Sequence, residues 1–131
     1  SAKDESHMLT IKILPNEKQN PPGKLAAVEL HFHIDLFPAL DASHASEILA
    51  GLKLIGFGIW SLRDGSGRNV TFPARTYSVN GERRSFGLLR PITDQSAQDR
   101  LREAILAAYA EWEQAQADGT MTSSRDAEAY R

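Results

Sequence analysis

One stretch of this chain constrains its fold more than any other. Between Leu25 and Leu36, the apolar residues Val28, Leu30, Phe32 and Ile34 alternate with Glu29, His31, His33 and Asp35. That is the period of a strand with one buried face and one wet face. Pro38 ends it. Upstream, Leu9, Ile11 and Ile13 alternate and stop at Pro15, which predicts a short edge strand followed by the loop NEKQNPPGK.

Downstream, GLKLIGFGIWSLRD places Ile55, Phe57 and Ile59 on one parity and Leu54, Trp60 and Leu62 on the other. This strand is apolar on both sides. Gly56 and Gly58 interrupt one face, which predicts a bulge or a close backbone approach. The turn Asp64-Gly65-Ser66-Gly67 leads to an antiparallel strand from Asn69 to Tyr77. Asn80-Gly81 is the dipeptide of a type I′ hairpin and joins a strand ending near Val79 to one from Arg83 to Leu89. Pro91 stops that strand. Thr93, Asp94 and Ser96 then offer caps, Ser96 with Asp99 as a weak capping box, and Leu101, Ile105, Ala108, Tyr109 and Trp112 recur at helical spacing. The expected fold class is α+β: an antiparallel β-meander of about four to five strands closed by a C-terminal α-helix.

At 131 residues and 41% hydrophobic content, the chain has material for one core. We expect a single domain over residues 9–117. Residues 1–8, which end in Ser-His-Met, read as a tag remnant, and 118–131 lack periodicity and read as a disordered tail. Asp41 to Leu49, with Ser43 as a cap, is expected to add one or two helical turns. No apolar run approaches the roughly 20 residues that cross a bilayer, so a cytoplasmic protein without membrane contact is expected.

Several chemistries are excluded or disfavoured. With no cysteine, thiol nucleophiles, disulfides and cysteine-based zinc sites are impossible. His31 and His33 share the polar strand face beside Glu29 and Asp35, but the sequence fixes no third strong ligand, so they read as a solvated pair and no metal is expected. No serine lies in a nucleophile elbow. Gly65-Ser66-Gly67 lacks the lysine and following helix of a phosphate loop. Glu103, Glu111 and Glu113 read as the solvated face of the last helix. No catalytic centre and no cofactor are expected.

Charge distribution is more informative than the net charge of -2. From Lys53 to Arg90 the chain carries seven basic residues, Lys53, Arg63, Arg68, Arg75, Arg83, Arg84 and Arg90, against only Asp64 and Glu82. Such asymmetry fits an anion-binding face on an otherwise acidic protein, or arginines that merely keep strand faces soluble. Arg63, Arg68, Arg75, Arg83 and Arg84 are the candidate phosphate contacts, with Tyr77 as the stacking residue. The alternative is that they pair with the acidic helix.

The segments SLRDGSGRNVTFPARTY, NGERRSF, LLRPI and RLREAILAAYAEW resemble, in order and spacing, the SpoVG septation-protein family. Phe72, Pro73 and Arg75 match its strand motif, Pro91 and Ile92 its strand end, and Ala104, Ile105, Leu106 and Tyr109 its helix. The resemblance spans Leu62 to Trp112. This chain differs in Ala74, where serine is usual, in the longer Phe37 to Leu52 insertion and in the extra N-terminal strand. The resemblance implies a small regulatory DNA-binding homodimer formed by strand pairing, for which Ile55 to Trp60 would suit the contact. A meander with a closing helix also resembles the transcriptional-coactivator fold that binds single strands as a dimer. Two other readings stay open. One is a protein-interaction or assembly module that uses an unpaired strand or the Trp112 helix. The other is a small-ligand binder or enzyme, which would need a pocket beside Gly56 and Gly58 lined by Trp60 and His33.

Overall fold

The computed structural model describes residues 9–33 and 48–119. The expectations for the tag remnant, for most of the Asp41–Leu49 turns and for all but the start of the tail lie outside those residues. The fold class is α+β, as expected. Strands β1 (Leu9–Pro15), β2 (Lys24–Phe32), β3 (Lys53–Ser61) and β4 (Arg68–Thr71) form one antiparallel sheet in sequential order. A separate two-stranded sheet holds β5 (Ala74–Val79) and β6 (Glu82–Gly87), and helix α1 (Ser96–Asp118) follows.

Alternation decides which side of the four-stranded sheet is covered. Ala26, Val28 and Leu30 of β2 are buried, with Phe57 and Ile59 of β3, Val70 of β4, and Ile105 and Tyr109 of α1. Val28 stands directly across from Ile13 on one side and Phe57 on the other, so three strands contribute to one layer. Leu101 and Trp112 of the expected helical stripe pack against this core partly buried. The opposite sheet face carries Thr10, Lys12, Glu29, His31, Gly58, Trp60 and Thr71.

The expectation of one continuous meander needs correction. The strand expected from Asn69 to Tyr77 breaks at Phe72–Pro73. Phe72 turns inward, its ring centroid 5.3 Å from that of Phe57 in an edge-to-face contact. Pro73, buried and without an N–H, packs against Gly56. The chain leaves the sheet there, and β5–β6 becomes a hairpin of its own. Its turn is as the sequence indicated: Asn80 and Gly81 both take positive φ, 52° and 83°.

Gly56 shows why the strand needed a residue without a side chain. It sits at φ 108° where the β2–β3 register shifts between Val28 and Leu30, and a Cβ would lie 3.1 Å from Pro73 Cβ. Gly56→Ala combines a strained backbone with a contact against a rigid ring, and is expected to cost about 1–3 kcal/mol. Thermal melting would show it as a lowered midpoint.

Capping of α1 also differs in detail. The capping box from Ser96 to Asp99 does not form, because the helix begins at Ser96 itself, after Gln95. Asp94 does the work by accepting from the Ser96 backbone N–H at 2.9 Å and from the Ser96 hydroxyl. Those two bonds hold its carboxyl below the ordinary aspartate range. Gly119 ends the helix in the left-handed region, φ 69°, with its N–H donating to Gln116 O.

Candidate nucleic-acid interface

The β5–β6 hairpin collects part of the predicted set on one face. Directly opposed residues share a face of an antiparallel pair. Arg75 is opposite Phe86, Tyr77 opposite Arg84, and Val79 opposite Glu82. That face therefore presents two guanidinium groups and two aromatic rings, Tyr77 43% and Phe86 49% exposed. All twelve residues of the two strands are exposed. Arg90 joins them: its guanidinium lies 4.6 Å from the Phe86 ring centroid. A guanidinium over a ring face makes no hydrogen bond to the ring's edge, so its N–H donors stay available to an anion.

Only some of the sequence-predicted residues meet there. Arg83 is opposite Ser78, on the other face of the hairpin. Arg63 lies exposed in the β3–β4 turn. Arg68 is committed to the helix: it donates to Glu113 at 2.7 Å and stands 5.6 Å from the Tyr109 ring centroid. Here the alternative of arginines pairing with the acidic helix holds, and Glu113 is no longer simply part of a solvated face. The Glu113 bond raises the Arg68 pKa, while burial pushes the Tyr109 phenol up. Arg84 bonds Glu82 at 3.0 Å, but both side chains are more than half exposed, so water and salt screen the pair. Among the described residues, no carboxylate is within ion-pair distance of Arg75 or Arg90.

Phe86 and Arg90 were missed. The signal for Phe86 was available, since it follows Arg84 by two residues in a strand and must share its face. Arg90 could be found only once the chain beyond β6 was seen to fold back onto that ring.

The two described histidines, His31 and His33, are engaged with neighbours on the open sheet face. His31 Nε2 donates to Glu29 at 2.8 Å, and His33 Nε2 bonds the Thr10 hydroxyl at 2.9 Å. Among the described residues, no group of three or more His, Asp or Glu side chains is placed to hold a metal ion. The Glu29 side chain is only 14% exposed and also accepts from Lys53 at 3.3 Å. The bond from His31, with help from Lys53, holds its carboxyl below the ordinary value of 4.5 despite the opposing effect of burial. The stability contributed by ionised Glu29 is therefore present above about 4.5 and lost as pH falls through its lower folded value. Glu29→Gln protein is expected to lose less stability than the parent between about pH 5 and about pH 3, measured by urea unfolding.

No family model matches the chain, and no curated protein or solved structure matches it. No described helix is long and apolar enough to cross a membrane.

Proposed function

We propose that this protein is a small, non-catalytic, regulatory nucleic-acid-binding module that acts as a homodimer, with the β5–β6 hairpin as its contact surface. One observation carries the reading: Arg75, Arg84 and Arg90 share one exposed hairpin face with Tyr77 and Phe86. Guanidinium groups bind phosphate with paired N–H donors, and exposed rings stack on bases whatever their identity. The alternation of the two on one ribbon matches a single strand, whose phosphates and splayed bases also alternate. A two-stranded ribbon is also narrow enough for the major groove of a duplex. The resemblance of Leu62 to Trp112 to the SpoVG family points the same way.

The homodimer is supported by two unsatisfied features. An isolated two-stranded hairpin is at best marginal in water, and this one keeps Val79 and Leu88 exposed. In addition, β4 pairs only with Gly58 to Ser61, and Phe72 and Pro73 lie against Phe57 and Gly56, so the outer edge of β3 from Lys53 to Ile55 has no strand beside it among the described residues. This corrects the expected contact at Ile55 to Trp60: β4 occupies its second half, while Phe57 and Ile59 are buried. Ile55, 58% exposed, marks the part left for a second copy. A protein-interaction module would use the same edge, and sedimentation of the purified chain separates the two readings, because only the first predicts a dimer without a partner.

Replacing both Tyr77 and Phe86 with alanine tests the binding face. Each stacked base is worth about 1–3 kcal/mol, so affinity for a single strand should fall by at least tenfold. Duplex affinity should change less. Equal losses for both would point to groove binding, and no loss for either would exclude this face.

A further inference from the structure

The sheet face away from α1 has a second feature that the hairpin does not use. At its centre Ala27 and Gly58 stand opposite each other, and Thr71 is opposite Gly58 on β4. A Cβ at Gly58 would meet Trp60 Nε1 at 2.8 Å, Thr71 Oγ1 at 3.0 Å and Lys24 Cε at 3.3 Å. Glycine inside a strand costs about 0.5–1 kcal/mol relative to alanine. What it permits here is the approach of an indole edge and a lysine stem to the same spot. The indole is held in place, since Trp60 Nε1 donates to the Thr71 hydroxyl at 3.0 Å. The Lys24 ammonium is 5.8 Å from the centre of the ring.

Beside this pair lies a cavity of about 220 Å³ lined by Leu14, Pro15, Asn16, Asn20, Lys24 and Ala27. Lys24 lines the cavity and also lies over the indole, so cavity and indole adjoin across one side chain, the two halves of a candidate cleft. Together they offer an aromatic ring, an ammonium group, the Asn20 carboxamide, the Asn16 carboxamide oxygen, whose Nδ2 already donates to Lys24 O at 3.0 Å, and a small apolar floor. Among the described residues of the sheet, the surrounding face is basic: Lys12 and Lys53 share it with one carboxylate, Glu29, which His31 and Lys53 already engage.

We propose that this cleft binds one nucleotide of a single strand, its base against Trp60 and its phosphate on Lys24, with the Asn16 and Asn20 carboxamides at the base edge. A neutral sugar would use the ring without needing the ammonium, and a simple carboxylate the reverse. A nucleotide uses both, and a carboxamide both donates and accepts, as base edges require. The proposal rests on the nucleic-acid reading above, but involves none of the same residues.

Trp112→Phe leaves Trp60 as the sole tryptophan, since the chain has two. Its emission can then be followed with a single-stranded oligonucleotide, with thymidine 5′-monophosphate and with thymidine. Quenching by the oligonucleotide and the monophosphate is expected, with thymidine at least several-fold weaker. Lys24→Ala should weaken the monophosphate about tenfold and leave thymidine unchanged, as loss of a charge-assisted contact predicts. Unchanged Trp60 emission while the oligonucleotide binds by anisotropy would overturn the cleft and leave the hairpin reading standing. Quenching by the monophosphate without oligonucleotide binding would overturn the single-strand assignment, reducing the cleft to a mononucleotide site, and would remove the hairpin reading as well. Unchanged emission with all three probes, or equal quenching by thymidine and its monophosphate, would overturn the assignment.

Discussion

Phe57→Ala is expected to destabilise the protein by about 3–5 kcal/mol, the range for removing a buried aromatic ring. Phe57 is 1% exposed and stands directly across from Val28 at the centre of the sheet. Its ring also meets Phe72, the residue at which the chain turns out of the sheet. Neither neighbour can collapse into the space: Val28 is held by strand pairing on both sides, and Phe72 is followed by the buried Pro73. Domains of this size are stable by about 5–15 kcal/mol in total, so the loss is a large fraction. Thermal unfolding should show a midpoint lowered by at least about 12 °C. A fall of only a few degrees would mean that the core is centred elsewhere.

Reversing both hairpin charges, Arg75→Glu with Arg84→Glu, is expected to reduce oligonucleotide affinity at low salt by about a hundredfold or more. Each lost phosphate contact should also lower the salt-dependence slope by about one. Both side chains are exposed and neither touches the buried core, so the melting midpoint should stay close to the parent's. Arg63→Glu is the informative control. It reverses the same charge in the β3–β4 turn, away from the face, and should leave binding within a few-fold. Arg68 would be a poor control, because reversing it places a carboxylate beside Glu113. Equal effects from Arg63 and from the hairpin pair would indicate a diffuse basic surface without a defined site.

The sequence carried the strands well because their signals are local. The alternation through Val28 and Leu30, the glycine-bearing turns and the Asn80-Gly81 hairpin each depend on a few adjacent residues. The break at Phe72–Pro73 was harder to see. Its cause is tertiary: Phe72 meets Phe57, and Pro73 meets Gly56, fifteen and seventeen positions upstream. The same holds for the candidate face. Arg75, Tyr77 and Arg84 could be grouped once the hairpin was placed, whereas the commitment of Arg68 to Glu113 depends on where the helix crosses β4. Arg90 reaches Phe86 only through the path of the chain after Gly87.

The exposed hairpin face of arginines and aromatic rings is proposed to bind nucleic acid. Fluorescence anisotropy with labelled single-stranded and duplex oligonucleotides, at low and moderate salt on protein of known oligomeric state, tests it most directly. The prediction is binding by a dimer, tighter for the single strand, that weakens steeply as salt rises. Absence of binding to either oligonucleotide at low salt would contradict it.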